Sequence, residues 1–420
     1  MTGAPGRYQL DVAEAMARVV AGVARLGTER LPTAAARGRV LAAPVHSPVN
    51  LPPWNNSAMD GYAVRSADIA AVPATLRVIE TVAAGAFPTR APGPGEATRI
   101  MTGAPVPEGA DTVVRVEDTD GGRQRVVIRD NRDAGRNVRP AGEDVRAGTE
   151  ALPAGAVLGA AQLGLLAAVG AAEVEVVRQP RVAIISSGDE LVPPERFAEV
   201  VAGRKIVSSN SVTLHELVRD AGGEPVDLGI AADTHESLRE HLARAEGVHL
   251  VLTSGGISVG EFDYVREVLA ERGATLDFWR VRMRPGAPIG FGELDGTPWI
   301  GLPGNPVSTM VTFELFVRPA IRVMRGHAAP FPATVGVVLG EPVTVGADLT
   351  HFLRVTLAPE GGHLVARLTG AQSSGMLSSM ARADALLVLP RGVREAPAGA
   401  ALRAIPLGRE MAFSPAPALA

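Results

Sequence analysis

With 420 residues the chain exceeds what one hydrophobic core organises, so two to four domains are expected. Hydrophobic residues make up 46% and charged residues 20%, a globular composition, and a net charge of −4 leaves no cationic footprint for duplex nucleic acid. Zero cysteines exclude disulfides, thiol catalysis and cysteine-ligated metals, and fit a reducing, cytoplasmic setting.

The first 20 residues lack a basic stretch followed by an apolar core, so no secretory leader is expected. No run reaches the roughly 18 apolar residues that a membrane-spanning helix needs. Lys205 is the only lysine in a background rich in arginine, alanine and glycine, so an arginine where a lysine would serve carries little meaning by itself.

In chain order, residues 11–26 read as an amphipathic helix with Val12, Met16, Val19, Val20 and Val23 at helical spacing. From about residue 44 to 148, short β-type runs (76–82, 112–116, 125–129) alternate with Pro- and Gly-rich turns, which predicts a small all-β domain. Residues 157–169 read as a second helix, able to return the chain beside the first. Beyond Gln179-Pro180, strand and helix alternate. Strands are expected at 181–186, 224–229, 248–252, 275–283 and 299–302. Helices are expected at 210–221, opened by the capping residues Ser208, Ser209 and Asn210, and at 234–245, 261–272 and 306–324. This alternation predicts a three-layer, doubly wound α/β/α domain on a parallel sheet. After about residue 330 the texture returns to β (333–338, 351–357, 363–368, 385–389), predicting a C-terminal β-barrel-like domain before a Pro/Ala-rich tail. The domain boundaries that follow are 1–47 with 149–178 as a linker and dimerisation region, 48–148 as the small β domain, 179–328 as the α/β domain and 329–412 as the C-terminal β domain.

Ligands of open parallel sheets bind beyond the carboxyl ends of the strands, which directs attention to three loops. They are Ser186–Leu191 (SSGDEL), Thr253–Tyr264 (TSGGISVGEFDY) and Leu302–Ser308 (LPGNPVS, with Pro303 and Asn305). In the second, Gly255 and Gly256 let backbone approach a phosphate, Ser254 and Ser258 supply donors, and the following helix adds free amides. A tight strand-to-helix turn would need the same glycines for shape alone. The loop is neither a P-loop nor a GxGxxG fingerprint. Asp189, Glu190, Asp233, Glu261 and Asp263 accompany these loops and suit a site where magnesium meets substrate phosphates; a first-turn helix acid and a turn or capping residue account equally for Glu261 and Asp233. On a continuous strand, Arg280, Arg282 and Arg284 would share one face, either to hold an oxyanion or to guard a sheet edge. In the first half, Asp60, Thr102 and Asp144 stand out within polar turns.

Eight strings in order, from PVNLPPWNNSAMDGYAV, RIMTGAPVPEGADTVV, RPAGEDV, SSGDEL and SNS (209–211) to TSGGISVGEFDY, FWRVRMRPGAPIGFG and LPGNPVS, resemble the molybdopterin molybdenumtransferase family, which includes bacterial MoeA proteins and the C-terminal part of gephyrin. Weaker similarity continues through HFLRV and GAQSSGMLSSM. The resemblance implies a homodimer of four-domain chains that inserts molybdate into the dithiolene of adenylylated molybdopterin, releasing AMP with Mg²⁺. It implies a composite cleft. Glu190, Asp233, Asp263, Arg280 and Arg284 would come from the α/β domain, and Asp60, Thr102 and Asp144 from the other subunit's N-terminal β domain. Arg354 and Ser374 would come from the C-terminal domain. The TSGGISVG loop (Ser254, Gly255, Gly256, Ser258) would cradle phosphates, and Glu190 and Asp263 would hold the cation. Other proteins of the same biosynthesis are the expected further partners.

Family members usually carry lysine at the positions of Arg280 and Arg284, and often a third at Ala287; Arg282 would compensate for the lost cation. Two readings compete. A molybdopterin adenylyltransferase shares the central fold but usually has TGGTG where this chain reads SGGIS, and lacks the flanking β domains. A gephyrin-like scaffold would need linkers and a trimerising domain for which the chain has no room.

Overall fold

The computed structural model describes residues 9–256 and 264–408. The chain divides into two units, residues 1–29 with 177–420, and residues 30–176.

In the first unit, seven strands lie in the order Gln9–Leu10, Thr275–Val281, Pro288–Leu294, Thr297–Leu302, Leu250–Ser254, Arg181–Ser187 and Glu224–Ala231. Alternate side chains serve two cores, as strand geometry requires. Val182, Ile184, Leu250, Leu252, Ile300 and Leu302 face one core; Ala183, Ile185, Val251 and Trp299 face the other. The first core is closed by helices Val12–Ala21, Ser209–Asp220, Pro306–Thr312 and Arg318–Met324. The second is closed by His235–Ala243 and Tyr264–Glu271, giving the expected three layers. Each fully buried Leu or Val here contributes roughly 1.5–3 kcal/mol.

Two features differ from expectation. The sheet is not wholly parallel: Pro288–Leu294 runs against both neighbours. Its glycines hide it, because they read as loop punctuation while marking close strand approach. A Cβ on Gly292 would lie 2.1 Å from the Thr275 carbonyl oxygen, and one on Gly290 2.8 Å from the Trp299 ring. Asp295 (φ 50°) and Gly296 (φ 78°) then form the two-residue turn into Thr297–Leu302. Secondly, the helix Val12–Ala21 and the second helix belong to different units and serve different cores. Buried Ala15 and Val19 of the former pack on the sheet's first core. The second helix, Ala160–Ala168, buries Leu166 against Leu41, Leu158, Val174 and Val176 in the other unit.

Beyond the α/β layers, five strands close into a barrel: Thr350–Glu360, His363–Leu368, Val335–Leu339, Ala401–Pro406, Ala385–Leu389 and back to Thr350–Glu360. Ala401–Pro406, unforeseen in the sequence, is the closing strand. Met283–Arg284 joins the barrel in parallel, with Arg284 opposite His351.

In the second unit, a five-stranded sheet runs Thr112–Arg115, Gly61–Val64, Glu96–Ile100, Ala74–Val82, Arg125–Ile128. Tyr62, Val64, Leu76, Val114 and Ile128 fill one side of it, and Ala63, Val82, Ile100 and Val113 the other.

Candidate functional site

The chain leaves Arg181–Ser187 for a helix on one face of the sheet and Leu250–Ser254 for a helix on the other. Neighbouring strands that part this way open a crevice at their carboxyl ends. A cleft of about 500 Å³ lies there, walled by Ser187, Glu190, Asn210, Asp233, Ser254 and Pro303 among others.

Asn210 organises it. Its Nδ2 donates to Ser254 Oγ and to the Gly304 carbonyl, both at 2.8 Å, so one buried amide ties the helix Ser209–Asp220 to both other loops. Sequence reasoning saw this residue as a cap. The structure gives the N-cap position to Ser208 and leaves that helix end without a side-chain cap. The first-turn amides of this 12-residue helix are therefore not capped by a side chain where the helix end enters the cleft wall. Among the described residues, the buried Ser186 Oγ and Asn210 Oδ1 have no hydrogen-bond partner.

Asp233 does not cap the helix after it; Thr234 does, accepting from Ser237 N at 3.2 Å. Asp233 accepts instead from Ser187 Oγ at 2.9 Å and from Asp189 N at 3.2 Å, while its own amide donates to Asp189 Oδ1 at 3.1 Å. The glycine pair has a sufficient cause in shape. Gly255 (φ 92°) would place a Cβ 2.5 Å from the Ser187 carbonyl oxygen, and Gly256 (φ 66°) one 2.6 Å from Val265. Ser258, Glu261 and Asp263 lie outside the described residues.

A second cleft, of about 700 Å³, lies between the Met283–Pro288 segment, the start of helix Pro306–Thr312 and the barrel. Arg284, Ala287, Arg354 and Ser374 are in its wall, and Pro288, Pro303 and Asn305 belong to both clefts. Arg354 is fully buried. Its Nε donates to Ser379 Oγ at 3.1 Å, and its Nη2 to the carbonyls of Ser373 at 3.0 Å and Ala371 at 3.3 Å. Among the described residues its Nη1 has no partner and no carboxylate pairs with it. Burial pushes its pKa down, yet a guanidinium remains charged. A buried cation held only by neutral oxygens, with a donor to spare, is suited to an anion.

Arg280, Arg282 and Arg284 do not come together at one cleft. The first strand ends at Val281 and Met283–Arg284 pairs with the barrel, so the three adjoin different elements. Arg282 lies 3.6 Å from Asp11 and lines neither cleft. Its compensation for Ala287 has no geometric support. Arg280 also lines neither cleft, and its buried Nε has no partner among the described residues. Arg284 alone of the three reaches a cleft.

In the second unit, Asp60 Oδ1 accepts from both the amide and the hydroxyl of Thr102, each at 2.7 Å. These bonds, the amide's first, hold the Asp60 carboxyl below its usual range. Asp144 is in the wall of a separate shallow depression with Arg139 and Glu143, and its amide donates to the Leu51 carbonyl at 2.9 Å.

Among the described residues no three acidic or histidine side chains gather as a metal site. Glu190 and Asp233 share the first cleft, but both Asp233 oxygens accept protein hydrogen bonds, which leaves Glu190 the better placed to meet a cation. Magnesium bound through phosphates needs only one or two carboxylates, so this donor set is compatible with it. No described helix is long and apolar enough to cross a membrane.

Comparison with known proteins agrees with this architecture. Residues 10–170 match the MoeA N-terminal region (domain I and II), residues 183–323 a probable molybdopterin binding domain, and residues 336–407 the MoeA C-terminal region (domain IV). The chain is 40% identical to a molybdopterin molybdenumtransferase of Nostoc, over 87% of this chain and 85% of that one. It is 39% identical to molybdopterin molybdenumtransferase 2 of Mycobacterium tuberculosis, over 89% and 93%. The crystal structure of a molybdopterin biosynthesis moeA protein from Pyrococcus horikoshii superposes with a TM-score of 0.83 at 27% identity, covering 95% of this chain and all of that one. The chain therefore belongs to the molybdopterin molybdenumtransferase family.

Proposed function

We propose that this protein inserts molybdate into the dithiolene of adenylylated molybdopterin and releases AMP, a step of molybdenum cofactor biosynthesis. The observation that carries the reading is the pair of adjoining clefts. One is polar and bordered by a helix end without a side-chain cap, and suits a nucleotide phosphate; the other holds the buried, unpaired Arg354 and suits an oxyanion. They meet at Pro288, Pro303 and Asn305, where the dithiolene end of one substrate would face the other.

In this reading Ser254, Asn210 and the amides at the start of helix Ser209–Asp220 orient the phosphoanhydride. Arg354, with Arg284 and Ser374, holds the oxyanion and offsets charge as it builds. Glu190, with Asp263, would hold a magnesium ion that neutralises phosphate charge. Asp233, fixed by Ser187 and Asp189, orients the attacking water. Asp60, Thr102 and Asp144 would complete the site from the other subunit of a cytoplasmic homodimer. The family's N- and C-terminal regions flank the central domain here, which favours this reading over adenylyl transfer. The test is AMP release from adenylylated molybdopterin by pure protein with and without molybdate. Stimulation by molybdate is expected, and its absence would refute the assignment.

A further inference from the structure

Lys205 has no part in the account so far. Every other member of the chain's 41 lysine and arginine residues is arginine. In so biased a composition, an ammonium at one position asks for a chemical reason. Its Nζ donates to the backbone carbonyl of Asp189. The next amide, Ile206 N, donates to the carbonyl of Glu190 at 2.8 Å. Asp189 and Glu190 are the central residues of a turn closed by Leu191 N to the Gly188 carbonyl at 3.1 Å. That closing bond joins the outer residues and leaves the two central carbonyls unheld. Lys205 and Ile206 take both.

The grip continues along the chain, where Leu191–Val192 pairs in parallel with Ile206–Val207 and Ser208 N donates to the Val192 carbonyl at 2.9 Å. From the other side the turn is held by the paired bonds between Asp189 and Asp233. The turn carries Glu190 into the nucleotide cleft, with the carboxylate folded against the Gly188 backbone, where a Cβ would lie 2.7 Å from Glu190 Oε2. Rotation of the Asp189–Glu190 peptide would swing that carboxylate.

We propose that Lys205 is a positioning residue, whose ammonium on the Asp189 carbonyl fixes the turn that presents Glu190 to the cleft. A compact end-on donor suits one carbonyl oxygen; the planar fork of arginine is shaped for paired acceptors. The kinetic consequence rests on the function proposed above, while the positioning itself does not.

The chain has no cysteine, so Lys205→Cys creates a single thiol. Its thiolate displaces bromide from 2-bromoethylamine, forming a C–S bond and rebuilding the ammonium with sulfur in place of one methylene. Iodoethane, displacing iodide, gives instead a neutral side chain of nearly the same length with no donor. In the full-length protein two quantities are followed: kcat and KM for molybdate-dependent AMP release, and amide hydrogen exchange at residues 189–192. Lys205→Cys should lower kcat about tenfold with KM within about twofold, and speed exchange at Leu191 about tenfold, the worth of one charge-assisted hydrogen bond. Aminoethylation should restore both, whereas the neutral adduct and Lys205→Arg should stay near the cysteine variant. Unchanged exchange in Lys205→Cys, or equal rescue by the neutral adduct, overturns the proposal. If exchange responds as stated while the unmodified protein shows no molybdate-dependent release, the positioning stands and the functional reading falls.

Discussion

Replacing Arg354 by methionine keeps an unbranched side chain in the barrel wall and removes a buried charge that no carboxylate balances among the described residues. Three hydrogen bonds are lost, to Ser379, Ser373 and Ala371, at about 1 kcal/mol each. Relief of a desolvated guanidinium offsets a comparable amount, so stability without ligand should change by no more than about 2 kcal/mol. Oxyanion binding has no such offset. A charge-assisted bond from Arg354 Nη1 is worth about 1.5–3 kcal/mol, which raises the Kd for molybdate about tenfold to a hundredfold when removed. Isothermal titration of pure protein with molybdate measures this directly. Thermal unfolding gives a second view: a ligand at a hundred times its Kd stabilises wild type by about 2.7 kcal/mol, and the variant at that concentration should gain far less. Arg282→Met is the control, because Arg282 lies against Asp11 and outside both clefts. A molybdate Kd within threefold of wild type in folded Arg354→Met would refute the reasoning, as would equal weakening by Arg282→Met.

Asn210→Asp keeps the shape of the side chain but removes both amide donors and sets an oxygen against the Gly304 carbonyl. We expect a loss of about 2–4 kcal/mol in urea unfolding, together with AMP affinity reduced more than tenfold; an unchanged midpoint would remove Asn210 from its organising role. Thr102→Val deletes one of the two bonds that depress the Asp60 carboxyl, so its pKa should rise. A depressed carboxyl stays ionised until pH falls through its folded value, so the acid limb of kcat/KM should move to higher pH. An unmoved limb would exclude Asp60 from the rate. Asp133, bonded to Arg115 first and partly desolvated, is held at about 2 against a usual 3.8. Its stabilisation is complete above the ordinary carboxylate range and is lost as pH falls toward 2. Asp133→Asn should therefore cost about 1–2 kcal/mol at neutral pH, discounted for the solvent exposure of Arg115, and nothing near pH 2. Equal urea midpoints for the two proteins at pH 7 would contradict this.

The layered α/β domain was legible because its strands are continuous apolar runs and its helices keep their period. Val182 and Ile184 against Ala183 and Ile185 show both signals surviving in the fold. The antiparallel strand at Gly290 and Gly292 was not legible, since close approach and loop freedom call for the same residue. The basic segment misled for a different reason. Spacing cannot say which element each residue adjoins, and here the chain passes from the α/β sheet to the barrel between Val281 and Met283. The loops of the first cleft were found from their position after strands, but the role of Asn210 was not. A capping residue and a loop-tying amide look the same until the third dimension supplies Ser254 and Gly304. Arg354 was reached only through family resemblance, because nothing in a β-type run announces that an arginine will be buried unpaired.

Pro288, Pro303 and Asn305 are common to the rims of two adjoining compartments. Occupants of the two cannot be thermodynamically independent if either displaces the residues they share. By linkage, the factor by which molybdate changes nucleotide affinity must equal the factor by which nucleotide changes molybdate affinity. The φ angles of the two prolines are fixed by their rings, so a displacement there moves the backbone as a unit. If both ligands bind as proposed, filling one compartment would be felt in the other through these three residues, with no moving domain required.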